Sequence, residues 1–210
     1  MTVVSNATVW EGSSASAIYE AAIELWSANG YAGASLRDIA REVGLKVASL
    51  YNHIDSREEL LVRIMRDNMN QLLSKSDAAV ADVTDPMERL RRFMRAAIVY
   101  HAEHRREAFI GNSELRALSP ENRAEIQQLR DEYERRLMDL LAEVDAAGVV
   151  EIPDIQMAAY AAVAIASHVS TWYRNDARLS IDEIADRLIA MYAPVSCPSK
   201  VAVPDESVNG

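Results

Sequence analysis

A chain of 210 residues, half of them hydrophobic and 26% charged, has room for one domain or for two small ones sharing a core. This composition excludes a disordered or fibrous chain, and a single cysteine, Cys197, excludes an intrachain disulfide and the common cysteine-rich zinc sites. The net charge is −10; residues 1–65 carry five basic against eight acidic side chains, so no basic patch marks the chain as a strong non-specific binder of nucleic acid.

No apolar run approaches ~18 residues, so no membrane span is expected. The opening MTVVSNATVWEG lacks the basic and apolar regions of a secretory signal, and a reducing cytoplasm is the expected location. Residues 1–13 are expected to be a flexible N-terminus. Ile18, Ala21, Ala22, Leu25 and Trp26 then form a stripe at helical spacing, ended by Gly30. Ser35 opens a second stripe, Leu36, Ile39, Ala40 and Val43, which Gly44 ends. Val47, Leu50 and Ile54 mark a short third. Ser56, with Glu59 three residues on, predicts a capping box before Leu60, Leu61, Ile64, Met65, Asn68 and Leu72. Asp85-Pro86-Met87-Glu88 repeats that logic before Leu90, Met94, Ala97 and Ile98. Ile126, Leu129, Tyr133, Leu137, Leu140 and Val144 continue the period, between Pro120 and Gly148. Pro153 is expected to open the next helix. No sustained alternation of period two occurs, and the spacing predicts an all-α protein of about nine helices.

Two late segments differ from the rest. Met157 to Ser170 is apolar around most of its circumference, and Ile181, Ile184, Ala185, Leu188, Ile189 and Tyr192 form a wide stripe. Helices of this kind need cover on more than one side. A dimer through a four-helix bundle supplies it, with Tyr160, Val163, Ala164, Ser167, Ile184 and Leu188 as interface residues. The alternative is burial of both helices in one core. Residues 193–210, with three prolines, are expected to be a flexible tail.

Residues 35–54, SLRDIAREVGLKVASLYNHI, read as helix, tight turn, helix. Gly44 permits the left-handed turn, Leu45 plugs the angle between the helices, and Ala40 is small where they cross. A helix-turn-helix places its second helix in the DNA major groove. The longer run Ala17–Leu61 resembles the DNA-binding domain of TetR-family transcriptional regulators. The residues that carry the resemblance are Trp26-Ser27-Ala28-Asn29-Gly30-Tyr31, Ser35-Leu36-Arg37-Asp38-Ile39-Ala40, Val43-Gly44, Ser49-Leu50-Tyr51-Asn52-His53-Ile54 and Ser56-Arg57-Glu58-Glu59-Leu60-Leu61.

The resemblance implies a DNA-binding domain over 14–60 and a helical ligand-binding and dimerisation domain over 61–192. By position, Lys46, Val47, Ala48 and Asn52 lie nearest the bases, with the Val47 and Ala48 methyls suited to thymine and Asn52 to adenine, and Ser49 belongs to the same DNA-binding set. It also implies phosphate contacts from Ser35, Arg37, Tyr51, His53 and Arg57. Tyr51 could instead pack in the core, and His53 could only cap its helix. Two departures stand out: no basic residue precedes the first helix, and Ile54 stands where phenylalanine is common. Few cations predict a shallow salt dependence.

For a ligand, the middle helices offer Met94, Ile98, Tyr100, Phe109, Tyr133 and Trp172, a set equally consistent with core packing. Arg89, Arg91, Arg92 and Arg95 crowd one helix, either as a solvated face or as a site for an anionic ligand. NSELRALSPENRAEIQQLRDEYERRL is similar to TetR-type regulators of lipid and steroid breakdown that respond to acyl-CoA thioesters. That similarity makes an acyl-CoA a candidate effector. His101 and His104, three apart, lack the further ligands that zinc needs, and no cofactor is implied. No Gly-x-Ser-x-Gly, Walker loop or Gly-x-Gly-x-x-Gly is present, so an enzyme is not expected. The other rival is a helical adaptor that uses residues 35–54 only for protein contact. The expected partners are duplex DNA, a small effector and a second copy of the chain.

Overall fold

A computed structural model describes residues 13–174 and 176–192. Among the described residues it contains nine α-helices and one 3-10 turn, and no strand. The helices are α1 (Ser13–Gly33), α2 (Leu36–Glu42), α3 (Val47–Leu50), α4 (Arg57–Val80), α5 (Pro86–Glu103), α6 (Arg105–Ser113), α7 (Pro120–Ala146), α8 (Ile155–Trp172) and α9 (Ile181–Tyr192). The 3-10 turn, Leu115–Ala117, joins α6 to α7. The expectations for residues 1–12 and 193–210 lie outside the described residues; Ser13 opens α1.

The helix starts follow from their caps. Ser35 forms the reciprocal capping box of α2: its side chain accepts from the Asp38 N–H, and Asp38 Oδ2 accepts from the Ser35 N–H at 2.9 Å. At α4 the box is half made. Ser56 Oγ accepts from the Glu59 N–H at 3.0 Å, but the Glu59 carboxylate turns to Arg63 instead. Asp85 caps α5 in the same one-sided way, with Pro86 at its first turn. Pro153 precedes Asp154, the N-cap of α8, and so lies just outside that helix and not at its first turn. Gly44 has φ +69°, a left-handed turn that a side chain resists, and it lets α3 fold back on α2. Gly30, at φ 74° and ψ 160°, breaks α1, which resumes for one short turn to Gly33.

Two hydrophobic clusters organise the chain. The first holds α1, α2, α3 and the start of α4 together through Ile18, Ala22, Trp26, Ile39, Leu50, Ile54, Leu60 and Ile64. The second joins the rest of α4 to α5, α7, α8 and α9 through Leu72, Phe93, Ile98, Leu137, Val144, Ala162 and Ile189. The unit around the first cluster is the head, and the rest is the body. Helix α5 packs against α4, α7, α8 and α9, which is why it buries residues around most of its circumference. Helix α4 runs without a break from one cluster to the other, so Leu60 and Leu61 both sit in the head core. Ile110, Leu118 and Ile126 reach into that core from the body.

Candidate functional site

The head is locked before it can read anything. Trp26 is fully buried, and its Nε1 donates to the Ala34 carbonyl at 3.1 Å. Arg57 Nη2 donates to the same carbonyl at 2.7 Å, and its guanidinium lies 3.9 Å from the Tyr31 ring centroid. Two helices and a link thus meet at one backbone oxygen: α1 through Trp26, the α1–α2 link through Ala34, and α4 through Arg57. Arg57 therefore faces inward, against the expectation that it contacts phosphate. Ser35 is also committed, since its hydroxyl donates to Asp38 Oδ2 at 2.6 Å. With the help of Arg41, these bonds hold the Asp38 carboxyl at about 2.

What remains exposed is a compact surface. Arg37, Lys46, Ala48, Tyr51, Asn52 and His53 are exposed, Tyr51 at 54%. Tyr51 therefore does not pack in the core. Val47 is half-buried against the head core, so it supports α3 more than it presents a methyl group outward. Ser49 is half-buried too. Ile54 fills the core where an aromatic ring is common in the resembling pattern. Of the head's acids, Asp38 pairs with Arg41 at 2.7 Å, Glu59 with Arg63, and Glu58 is bound to the body. Glu42 and Asp55 are exposed. The surface thus offers two cations, a phenol, an amide and an imidazole on one short helix and its flanks, the residue types that bind phosphate and base edges.

The head–body seam is tied by polar contacts and contains a cavity. Glu58 Oε1 accepts from the Ser119 N–H at 2.7 Å and the Asn122 amide at 2.6 Å, so the start of α4 caps the start of α7. Those bonds hold the Glu58 carboxyl below the usual range. Arg66 pairs with Glu125 one turn further on. Behind them lies a cavity of about 120 Å³. Helix α4 lines it with Met65, Asn68, Met69 and Leu72, α5 with His101, α6 with Ala108, Gly111 and Asn112, α7 with Ile126, Arg130, Tyr133 and Glu134, and α8 with Val163 and Ser167. Met65 and Ile126 belong to the head core, Leu72 and Tyr133 to the body core, so the cavity touches both. Arg130 Nη2 donates to the Gly111 carbonyl at 2.6 Å, and burial raises the Glu134 carboxyl beside it.

Most of the nominated ligand residues lie elsewhere. Tyr133 lines the cavity; Met94 and Ile98 are sealed in the body core. Tyr100 is buried, and its hydroxyl donates to the backbone carbonyl and side-chain oxygen of Asn68, each at 3.0 Å. Phe109 and Trp172 are exposed on the outside. The arginine cluster is largely committed to ion pairs: Arg89 with Glu143, Arg92 with Glu88, Arg95 with Asp182 and Asp186. Arg91 is half-buried and outside the cavity lining. This pairing agrees with the alternative in which the cluster balances neighbouring acids. Of the lining residues only Tyr133 is nominated for a ligand; Asn68, Met69, Asn112, Arg130 and Glu134 are among those the sequence did not single out for one. Asn68 had a signal, because it is polar on an otherwise apolar stripe of α4.

Helix α8 divides into two faces. Ala159, Ala162, Ala166 and Val169 bury inward. Met157, Tyr160, Ala161, Ala164, His168 and Trp172 are exposed at helical spacing. Of the nominated interface residues, Tyr160 and Ala164 lie on this outer face, and Leu188 joins Trp172, Ala177 and Leu179 around an open groove of about 300 Å³. Ile184, though mostly buried in the body core, also lines that groove, whereas Val163 and Ser167 line the interior cavity instead. The shift has a simple cause. The α8 sequence is apolar on nearly every side, so periodicity could not tell the face toward α5 and α7 from the outer one.

A family model described as bacterial regulatory proteins, tetR family, matches residues 18–64, and one described as tetracyclin repressor-like, C-terminal domain, matches residues 83–193. The crystal structure of a bacterial regulatory protein of the tetR family from Rhodococcus RHA1 is 29% identical, with a TM-score of 0.83 over 89% of this chain and 99% of that one. The crystal structure of AibR in complex with isovaleryl coenzyme A and operator DNA is 30% identical, with a TM-score of 0.80 over 87% of this chain and 99% of that one. The HTH-type transcriptional repressor KstR2 of Mycolicibacterium smegmatis is 24% identical over 177 residues, 83% of this chain and 86% of the relative. Both parts of the chain match, in order and at nearly full length, and the chain belongs to the TetR family of bacterial transcriptional regulators.

Proposed function

We propose that the protein is a homodimeric repressor that reads a palindromic operator through residues 46–54 and is released by a small acyl thioester bound in the seam cavity. The observation that carries this is the position of the cavity. Four residues of α4 line it, and the same helix is fastened to the head at Arg57 and to α7 at Glu58 and Arg66. A ligand that pushes on α4 there favours one head position over another, and only such a differential contact can move the equilibrium. Repression follows KstR2, and the thioester follows the AibR complex, whose ligand is isovaleryl coenzyme A.

The cavity narrows the ligand. A cavity of about 120 Å³ is of the same order as the roughly 150 Å³ engineered cavity that holds benzene. It suits a short acyl group and excludes a fused ring system unless the helices part. The reading set becomes Lys46, Ala48 and Asn52 on bases, with Arg37, Tyr51 and His53 on phosphate. The dimer forms through the outer face of α8 and the α8–α9 groove. The test is selection of random duplex DNA by the purified protein, followed by titration of the selected duplex complex with short-chain acyl-CoAs. An enriched palindrome that dissociates with a four- or five-carbon thioester is expected. Enrichment without release by any chain length removes the thioester; no enrichment by a folded dimer removes operator binding.

A further inference from the structure

The seam cavity has one feature that packing does not account for. His101 is 8% exposed on the inner face of α5 and lines the cavity, yet its Nδ1 has no hydrogen-bond partner among the described residues. A buried polar nitrogen left unpaired is a standing cost, and a phenylalanine would fill the same space without it. The neighbouring polar groups are largely used. The Tyr100 hydroxyl takes the Asn68 carbonyl oxygens, which leaves the Asn68 amide N–H groups, and Asn68 Nδ2 sits beside Gly111 in the cavity wall. Ser167 Oγ donates to its own helix at Ala164. Arg130 on the same wall is spent on the Gly111 carbonyl, Asn112 and Glu134 complete the polar part of the lining, and the rest is mostly Met65, Met69, Leu72, Ile126 and Val163.

We infer that His101 is the specificity-determining residue of this cavity, and that the group it admits is small and mostly apolar but carries a hydroxyl or carbonyl oxygen. A neutral imidazole offers one N–H and one lone pair, so an oxygen of either kind completes it. Asn68 adds N–H donors in the same wall. Burial, reinforced by the nearby His104, holds His101 at about 4, so it meets its ligand as the neutral ring near neutral pH. A purely aliphatic group would fill the volume and leave the nitrogen unpaired. The effector is thus expected to set an oxygen beside His101, either the thioester carbonyl itself or a hydroxyl or keto group on its short chain. This rests on the seam cavity being the effector site.

The experiment uses two probes of the cavity's size that differ by one oxygen, benzene and phenol. Each is titrated into the full-length protein without DNA, and binding is followed by amide chemical-shift changes. Phenol is expected to bind at least tenfold more tightly than benzene. In His101→Phe, which keeps the ring shape, that preference is expected to vanish or invert while the protein stays folded. Equal binding of both by the native protein overturns the inference. So does a preference that survives in His101→Phe, or failure of both probes to bind at their solubility limit. Operator release is scored separately, so a protein that prefers phenol but never leaves DNA fails the repressor mechanism and not this one.

Discussion

Arg37 and Arg57 are both nominated phosphate contacts, and their surroundings assign them different work. Arg57 spends its charge on the Ala34 carbonyl and the Tyr31 ring, so it holds the head together. Arg37 is exposed with no ion pair among the described residues, and Lys46 is exposed likewise. With Lys46 turned to the bases, Arg37 is the one free cation per head set against phosphate, about two per dimer, so log K should fall against log salt with a slope near −2, at roughly −0.9 per phosphate neutralised. Arg37→Ala should weaken operator binding and flatten that slope by about two in the dimer. Tyr51→Phe removes a hydroxyl and no charge, so it should weaken binding with the slope unchanged. Fluorescence anisotropy across a salt series separates the two. An unchanged slope in Arg37→Ala would mean that Arg37 does not touch phosphate.

His101 makes a second prediction at this scale. The unfolded chain takes up a proton on this histidine near 6.5, the folded chain only near about 4. Between those values the unfolded state holds more protons, so stability falls as pH drops and is flat above 6.5. A shift of this size corresponds to up to about 3 kcal/mol across the window. His104 caps the end of that helix, Arg130 and Glu134 face the cavity from α7, and Glu134, whose carboxyl burial raises, opposes the trend at the acid end. Urea unfolding at pH 7 and pH 4.5 should show a smaller loss in His101→Phe than in the native protein. Equal losses would place the acid sensitivity elsewhere.

At the scale of elements, punctuation was the most legible part of the sequence. Gly30, Gly44 and Gly148 all adopt positive φ at helix ends, and Ser35, Ser56 and Asp85 all cap, because these are local chemistry. The break between α5 and α6 was not legible. It falls at His104, at φ −106° and ψ 47°, with no glycine or proline to announce it, and is fixed by tertiary packing. The cavity was hidden for the same reason: its walls come from five helices, and no stretch of sequence contains it. Only Asn68, polar on a buried stripe, hinted at it. Val163 on α8 is half-buried in that wall and gives the test. Val163→Trp should fill the opening, leave operator affinity within a few-fold of native, and abolish release by short acyl-CoAs. Retained release would show that the effector enters elsewhere.

At the scale of the whole molecule, the head alone is a weak binder, because its few cations cannot supply strong phosphate attraction. Affinity must come from joining two heads on one duplex, where the second contact is made at high effective concentration. The outer face of α8 is the surface proposed for that joining. Met157 is 60% exposed and Trp172 46%, an apolar stripe too large to leave bare, and Ala161 and Ala164 between them let a second helix approach closely. A two-fold axis across this face also explains why a palindrome is expected, since each head then meets the same half-site one turn or slightly more away. Ala164→Glu places a charge at the centre of the face without touching the body core. Sedimentation should show a folded monomer with native helix content, and operator affinity should drop by about 10²-fold or more as the linked second contact is lost. A dimer that survives Ala164→Glu would move the interface off α8, and the palindrome would then need another axis.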